Sequence, residues 1–320
     1  MAIDPTSRFG FPKPIPSSEL PVRLAKPPSL PREAEPTRSA VQLSREAQEA
    51  NPSESRLRLK LFAEVTTPKS LALSQAAQDM SVSTYKFLKR MYPELEAREA
   101  LSRGMKDLCP SSHEHCLRVA DLAFRLAREM DLAPDELESL ERELEDSAEL
   151  KEAGILALSV SAMSDDELES FLEKAEQAGE FHDIGKLSIP AEILDKPGPL
   201  TDEEFEVVKL HPLVGETMLT PLGLDEEVLA AVRGHHENWD GTGYPDGLWG
   251  SDIPVTARIL SIVDSFDAMT AGRPYRSTLT YRQAADEILE NAGSQFDPFM
   301  AEMFAGLVHN LEGGASDDTL

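Results

Sequence analysis

Cysteine is nearly absent from this chain. Only Cys109 and Cys116 occur in 320 residues, and they form no CxxC pair. A disulfide framework and a zinc knuckle are thereby excluded, and a reducing compartment such as the cytoplasm is expected. Long apolar runs are missing too: nothing approaches the roughly 18 residues that a membrane helix needs. The N-terminal stretch MAIDPTSRFGFPKP has no apolar segment of the kind a signal peptide carries. Positive charge is scarce, with 31 Lys and Arg against 58 Asp and Glu, a net charge of -27. Such a surface argues against nucleic-acid polymers and anionic membranes as partners. An anionic small molecule would need local positive charge from metal ions or arginines. Alternating strand patterns are almost absent, and no internal repeat is found.

Helical periodicity takes their place, and the fold class is all-α. Residues 1–60 are the exception, with nine prolines in the first 36 positions and no sustained apolar period; they read as a disordered or extended tail. Residues 61–104 form a short helical region, with breaks expected at Ser81 and Pro93. The stretch 115–132 places Leu117, Ala120, Ala123, Leu126, Ala127 and Met130 on one helical face, and Pro134 starts a further helix. Residues 131–180 hold 17 acids against Arg142, Lys151 and Lys174, so about half of the net charge lies there. Ser164-Asp165-Asp166-Glu167 is a capping box that opens a helix running to Phe181, and Gly179 weakens that pattern. Further helices are expected over 201–219, 225–237, 255–270 and 281–292.

Among seven histidines, five lie on or at the end of a helix with an apolar face: His115, His182, His211, His235 and His236. Asp183 follows His182 directly, and Asp264 lies within the apolar ILSIVDSFDAM. A buried carboxylate without a partner is costly, so Asp264 should be paired or metal-bound. Any one of these residues alone reads as well as a satisfied core group. Together, imidazoles and carboxylates on packed helices suit Zn, Mn or Fe. Two ions bridged by a carboxylate can clamp both oxygens of an in-line phosphoryl displacement.

The motifs FHDIGK, KLHP, HHENWDGTGYP, DSFDAM and RPYR occur in that order, and this series resembles the HD-GYP family of HD-superfamily phosphohydrolases. The resemblance covers about 105–312. It implies an HD-superfamily helical bundle that hydrolyses cyclic di-GMP to pGpG or GMP with divalent metals, Fe or Mn. It also implies the roles of individual residues. His115, His182 and Asp264 would hold one metal, and His211, His235 and His236 the other. Asp183 would bridge them. Lys186 would contact the scissile phosphate, and Tyr244, Asp267, Arg273 and Arg276 would contact substrate. Gly241 and Gly243 permit the turn of the GYP loop.

Three departures from the family pattern stand out. Family members with three metals carry a glutamate where this chain has Ser111, and Glu114 points elsewhere, so two metals are expected. His115 and His182 lie 67 positions apart, more than in the family, and 140–170 reads as an acidic insertion. No receiver or other sensor domain is recognisable in the residues before the motifs. The insertion and the tail are candidate docking segments for a protein partner. His113 and His309 match no motif and read as surface residues, and Cys116 as packing. Alternatives to cyclic di-GMP hydrolysis are turnover of another cyclic dinucleotide, such as 3′,3′-cyclic GMP-AMP, and a non-catalytic sensor or docking module.

Overall fold

The computed structural model describes residues 70–131, 160–271 and 278–314. The tail at 1–60, Pro134, most of the insertion, and Arg273 and Arg276 lie outside the described residues. Eleven α-helices can be named in chain order: α1 Ser70–Met91, α2 Ala97–Leu108, α3 Pro110–Glu129, α4 Asp165–Phe181, α5 Ala191–Leu194, α6 Asp202–Val208, α7 His211–Leu219, α8 Glu226–Gly234, α9 Val255–Thr270, α10 Tyr281–Glu290 and α11 Pro298–Gly314. A 3-10 helix, Ile184–Ser188, follows α4. Among the described residues there is no sheet, only an isolated bridge between Ala292 and Phe296. None of their helices is long and apolar enough to cross a membrane.

Local chemistry explains most of the ends. The Ser164 N–H donates to Glu167 Oε2 at 2.9 Å at the start of α4, and Thr201 and Glu204 repeat the exchange at α6. Pro93 falls between α1 and α2, and Pro110 opens α3, where a missing N–H costs nothing. Other expectations were not met. The helix does not break at Ser81, because Ser81, Ser83 and Thr84 are buried in α1. The Thr84 and Ser188 hydroxyls share a hydrogen bond of 2.8 Å, so tertiary packing overrides the weak helix preference of these residues. The helix expected over 201–219 is two, α6 and α7. Leu117 is 50% exposed and leaves the apolar face of α3. The last helix, α11, was not anticipated.

Two apolar clusters build the interior. One gathers α3, α4, α9, α10 and α11 around Ala123, Ala175, Ile262 and Phe304. The other gathers α1, α2, the 3-10 helix and α7 around Ala77, Leu101, Ile184 and Met218. Helices α3, α4 and α8 belong to both. Each holds a histidine in it or at its end: Cys116 and Val119 follow His115, Ala178 and Phe181 precede His182, and Ala231 and Val232 precede His235, with the two neighbours in different clusters. The polar centre therefore lies where two dry cores meet.

Gly179 sets how closely α3 and α4 approach. A Cβ there would lie 2.6 Å from the Ala120 Cα and 2.8 Å from its nitrogen. The glycine that weakens α4 locally is the one that lets the helices carrying His115 and His182 touch. Gly179→Ala would gain about 1 kcal/mol of helix propensity. Overpacking costs about 1–3 kcal/mol, and a backbone neighbour cannot swing aside. We expect a net loss of up to about 2 kcal/mol in urea unfolding; a more stable variant would show that the crossing can relax.

Candidate metal centre

Three of the five histidines stand at the ends of helices and use the same device. The Nδ1–H of His182 donates to Gly179 O at 2.8 Å. That of His211 donates to Val208 O at 2.7 Å, and that of His235 to Val232 O at 2.8 Å. The acceptors are carbonyls in the last turns of α4, α6 and α8, which have no partner within their own helices. A carbonyl only accepts, so each Nδ1 must carry the proton. In the neutral ring Nε2 is then a bare lone pair.

Those lone pairs point at one another. His211 Nε2 and His235 Nε2 are 3.2 Å apart, a repulsive contact unless a cation or a proton lies between them. His182 Nε2 is buried and has no hydrogen-bond partner. Burial holds His182 and His235 below the ordinary histidine pKa, and neighbouring imidazoles add to the effect. His236 is pushed down to about 3 by burial and then by His211. Neutral imidazoles aimed into a closed space are the state in which histidine binds metal. This is a fit between donor set and divalent ion that the protein groups alone do not satisfy.

The donors fall into two sets. His211, His235 and His236 each bring a ligand atom within 4.8 Å of the others, as do His115, His182 and Asp264. Asp183 lies between the sets. Its Oδ1 is 3.2 Å from His211 Nε2, while its Oδ2 is 3.5 Å from His182 Nε2 and 3.9 Å from His115 Nε2. Burial opposes its charge, but Lys186 and His182 outweigh that and hold its pKa well below the usual carboxylate range. Lys186 Nζ donates to Asp183 Oδ2 at 2.5 Å. Gly185 permits the approach: a Cβ there would meet His211 O at 2.0 Å.

His115 is held differently. Its Nε2 is 2.9 Å from Asp264 Oδ1 and its Nδ1 is 2.6 Å from Asp267 Oδ2. Burial lowers its pKa, but the two carboxylates win and raise it to about 9. A cation held by His115 and Asp264 would take the place of this short direct contact. Asp267, expected to contact substrate, is turned onto His115, and Arg118 grips its other side with Nε–H donating to Oδ1 at 2.6 Å and Nη2–H to Oδ2 at 2.9 Å. A carboxylate on the far nitrogen of a ligating imidazole fixes ring orientation and raises ligand basicity.

The GYP loop closes one side. The Tyr244 ring stacks on His236 with centroids 4.9 Å apart, and the Tyr244–Pro245 bond is cis. Gly241 has φ +78, and a Cβ on Gly243 would strike Asn238 N at 2.3 Å. The sequence reading missed Glu237. It is buried and accepts from the Asp246 and Leu248 N–H groups at 2.7 and 3.0 Å, so it pins the loop beside its histidines. Its place in HHE was the available signal. His309, expected at the surface, has only 13% of its side chain exposed. Ser111 and Glu114 are exposed, and His113 is half-buried. Cys116 lies near His182 and Asp183; burial, and then Asp183, push its thiol well above the ordinary value.

The sequence profile described as HD domain matches residues 129–300. A probable cyclic di-GMP phosphodiesterase of Vibrio cholerae is 40% identical over 128 residues, covering 38% of this chain and 29% of that protein. The cyclic di-GMP phosphodiesterase response regulator RpfG of Xanthomonas campestris is 43% identical over 117 residues, covering 36% and 31%. The 3′3′-cGAMP-specific phosphodiesterase 2 of Vibrio cholerae is 38% identical over 124 residues, covering 37% and 23%. The matched stretch thus spans less than a third of each of these relatives.

The role of Asp267 can be measured directly. Asp267→Asn keeps the shape but removes the charge that orients His115. Manganese titration should show one class of site weakened about 10–100-fold with the helical circular dichroism signal unchanged. Unaltered affinity would mean that Asp267 serves Arg118 alone.

Proposed function

This chain belongs to the HD-GYP family of HD-domain proteins, and from that premise we propose that it is a metal-dependent phosphodiesterase that hydrolyses cyclic di-GMP. The observation that carries the reading is the 3.2 Å approach of the Nε2 atoms of His211 and His235, whose Nδ1 atoms already face backbone carbonyls, beside the buried, partnerless His182 Nε2. We take His115, His182 and Asp264 to hold one divalent ion, His211, His235 and His236 a second, and Asp183 to serve both. Imidazole with carboxylate suits Fe or Mn. Divalent ions held there would supply Lewis acidity and an activated water for attack on phosphorus.

The protein's own groups would do the rest. Lys186 would leave its partner Asp183 for a phosphate oxygen and stabilise the charge that develops there. Tyr244, fixed against His236, would form one wall of the substrate cleft. Arg273 and Arg276 would neutralise the remaining phosphate in a chain whose net charge is -27. Asp267 would act through His115 as a positioning residue. Hydrolysis of 3′,3′-cyclic GMP-AMP is a second reading, supported by the relative of that specificity.

Anaerobically purified protein loaded with Mn or Fe should convert cyclic di-GMP to pGpG or GMP. Asp183→Ala should lose both metal and detectable turnover. Lys186→Ala should keep its metal and lose about 10²–10³ in kcat. Tight binding of either dinucleotide without turnover would make the protein a sensor, and full activity of Asp183→Ala would sink the assignment.

A further inference from the structure

The groove that opens onto His235, His236 and Asp264 has a second wall that metal binding does not explain. Phe205 in α6 and Lys209 just after it line this wall, with Tyr244, Asn238 and Gln295 also around the cleft. Phe205 is 44% exposed, a large ring left in water at the rim. Lys209 Nζ lies 4.9 Å from the Phe205 ring centroid and 5.8 Å from that of Tyr244, within the roughly 6 Å reach of a cation–π contact for both. Its other partner is Glu206 Oε1 at 2.6 Å, a carboxylate that is 54% exposed. Exposed pairs of this kind contribute little, so a ligand can displace Glu206 at small cost.

A half-exposed aromatic ring beside an ammonium group suits a purine. Phe205, 44% exposed, offers a stacking face, which is indifferent to base identity, whereas Tyr244 is already stacked on His236 and borders the slot. The ammonium only donates. Guanine presents two acceptors on one edge, O6 and N7, whereas adenine replaces O6 by an amino donor. The cavity of about 380 Å³ lies at the small end of the roughly 300–1,000 Å³ typical of small-molecule sites. It suits one nucleotide rather than a cyclic dinucleotide. We propose that Phe205, Lys209 and Tyr244 form a guanine-selective slot for one half of the substrate, with Lys209 reading the O6/N7 edge. The proposal rests on the phosphodiesterase reading only in taking the ligand to be a nucleotide.

Titration of 5′-GMP and 5′-AMP into the full-length, Mn-loaded protein tests it, with cyclic di-GMP turnover measured alongside. The wild type should bind GMP about tenfold more tightly than AMP, the discrimination expected of one good pairing to a base edge. Lys209→Met should bring GMP down to the affinity of AMP. Phe205→Ala should weaken both about tenfold and keep their ratio. Lys209→Gln, with metal content and circular dichroism, controls for misfolding. Equal binding of GMP and AMP by the wild type, no binding of either, or a GMP preference that survives Lys209→Met would overturn the proposal. Turnover without that preference counts against the slot alone. The preference without turnover counts against the phosphodiesterase reading alone.

Discussion

The centre depends on three ring N–H groups bonded back onto helix ends. His182, His211 and His235 each give their Nδ1 proton to the carbonyl three residues earlier. The bond satisfies a carbonyl that the helix cannot, fixes the tautomer, and turns Nε2 inward. Because three helices end at the same place, three lone pairs meet there. The last turns of those helices also carry partial negative charge, which favours a cation in front of them. Helix termination, tautomer choice and cation affinity thus have one cause.

The packing around that point serves the same end. Gly179 lets α3 and α4 touch, and Gly185 brings the turn after His182 against the start of α7. Both replace a side chain with backbone contact, which resists deformation. Helices α3, α4 and α8 each feed both apolar clusters, so none can shift without opening a dry core. Lys186 opposes the charge of Asp183 at short range, and a chain of net charge -27 needs such local positive charge if an anion is to approach.

Much of this was legible in the sequence, and the rest was hidden for identifiable reasons. The family resemblance implied one ligand group of His115, His182 and Asp264 and another of His211, His235 and His236, and the structure brings the same side chains together. Helix periods read correctly where one face is apolar throughout, as in α9. They failed at Ser81, where burial overrides a polar residue, and at 209–210, where the chain turns between α6 and α7 while keeping its apolar pattern. The contacts of Asp267 with His115 and Arg118 could not be read from the sequence, because proximity to a centre does not say which neighbour a carboxylate faces. The back-bonds to Gly179, Val208 and Val232 use backbone oxygen, so no residue type announces them. Gly179 was read as a weakness of its helix because its partner, Ala120, is 59 positions away.

Anomalous diffraction from a crystal soaked in Mn²⁺ tests the central claim most directly. It should show two peaks per chain, about 3.5–4 Å apart as in two-metal hydrolases. One should lie among His115, His182 and Asp264 and the other among His211, His235 and His236, with one oxygen of Asp183 toward each. No peak, or a single ion bound by His211, His235 and His236 with His115 still bonded to Asp264, would contradict it.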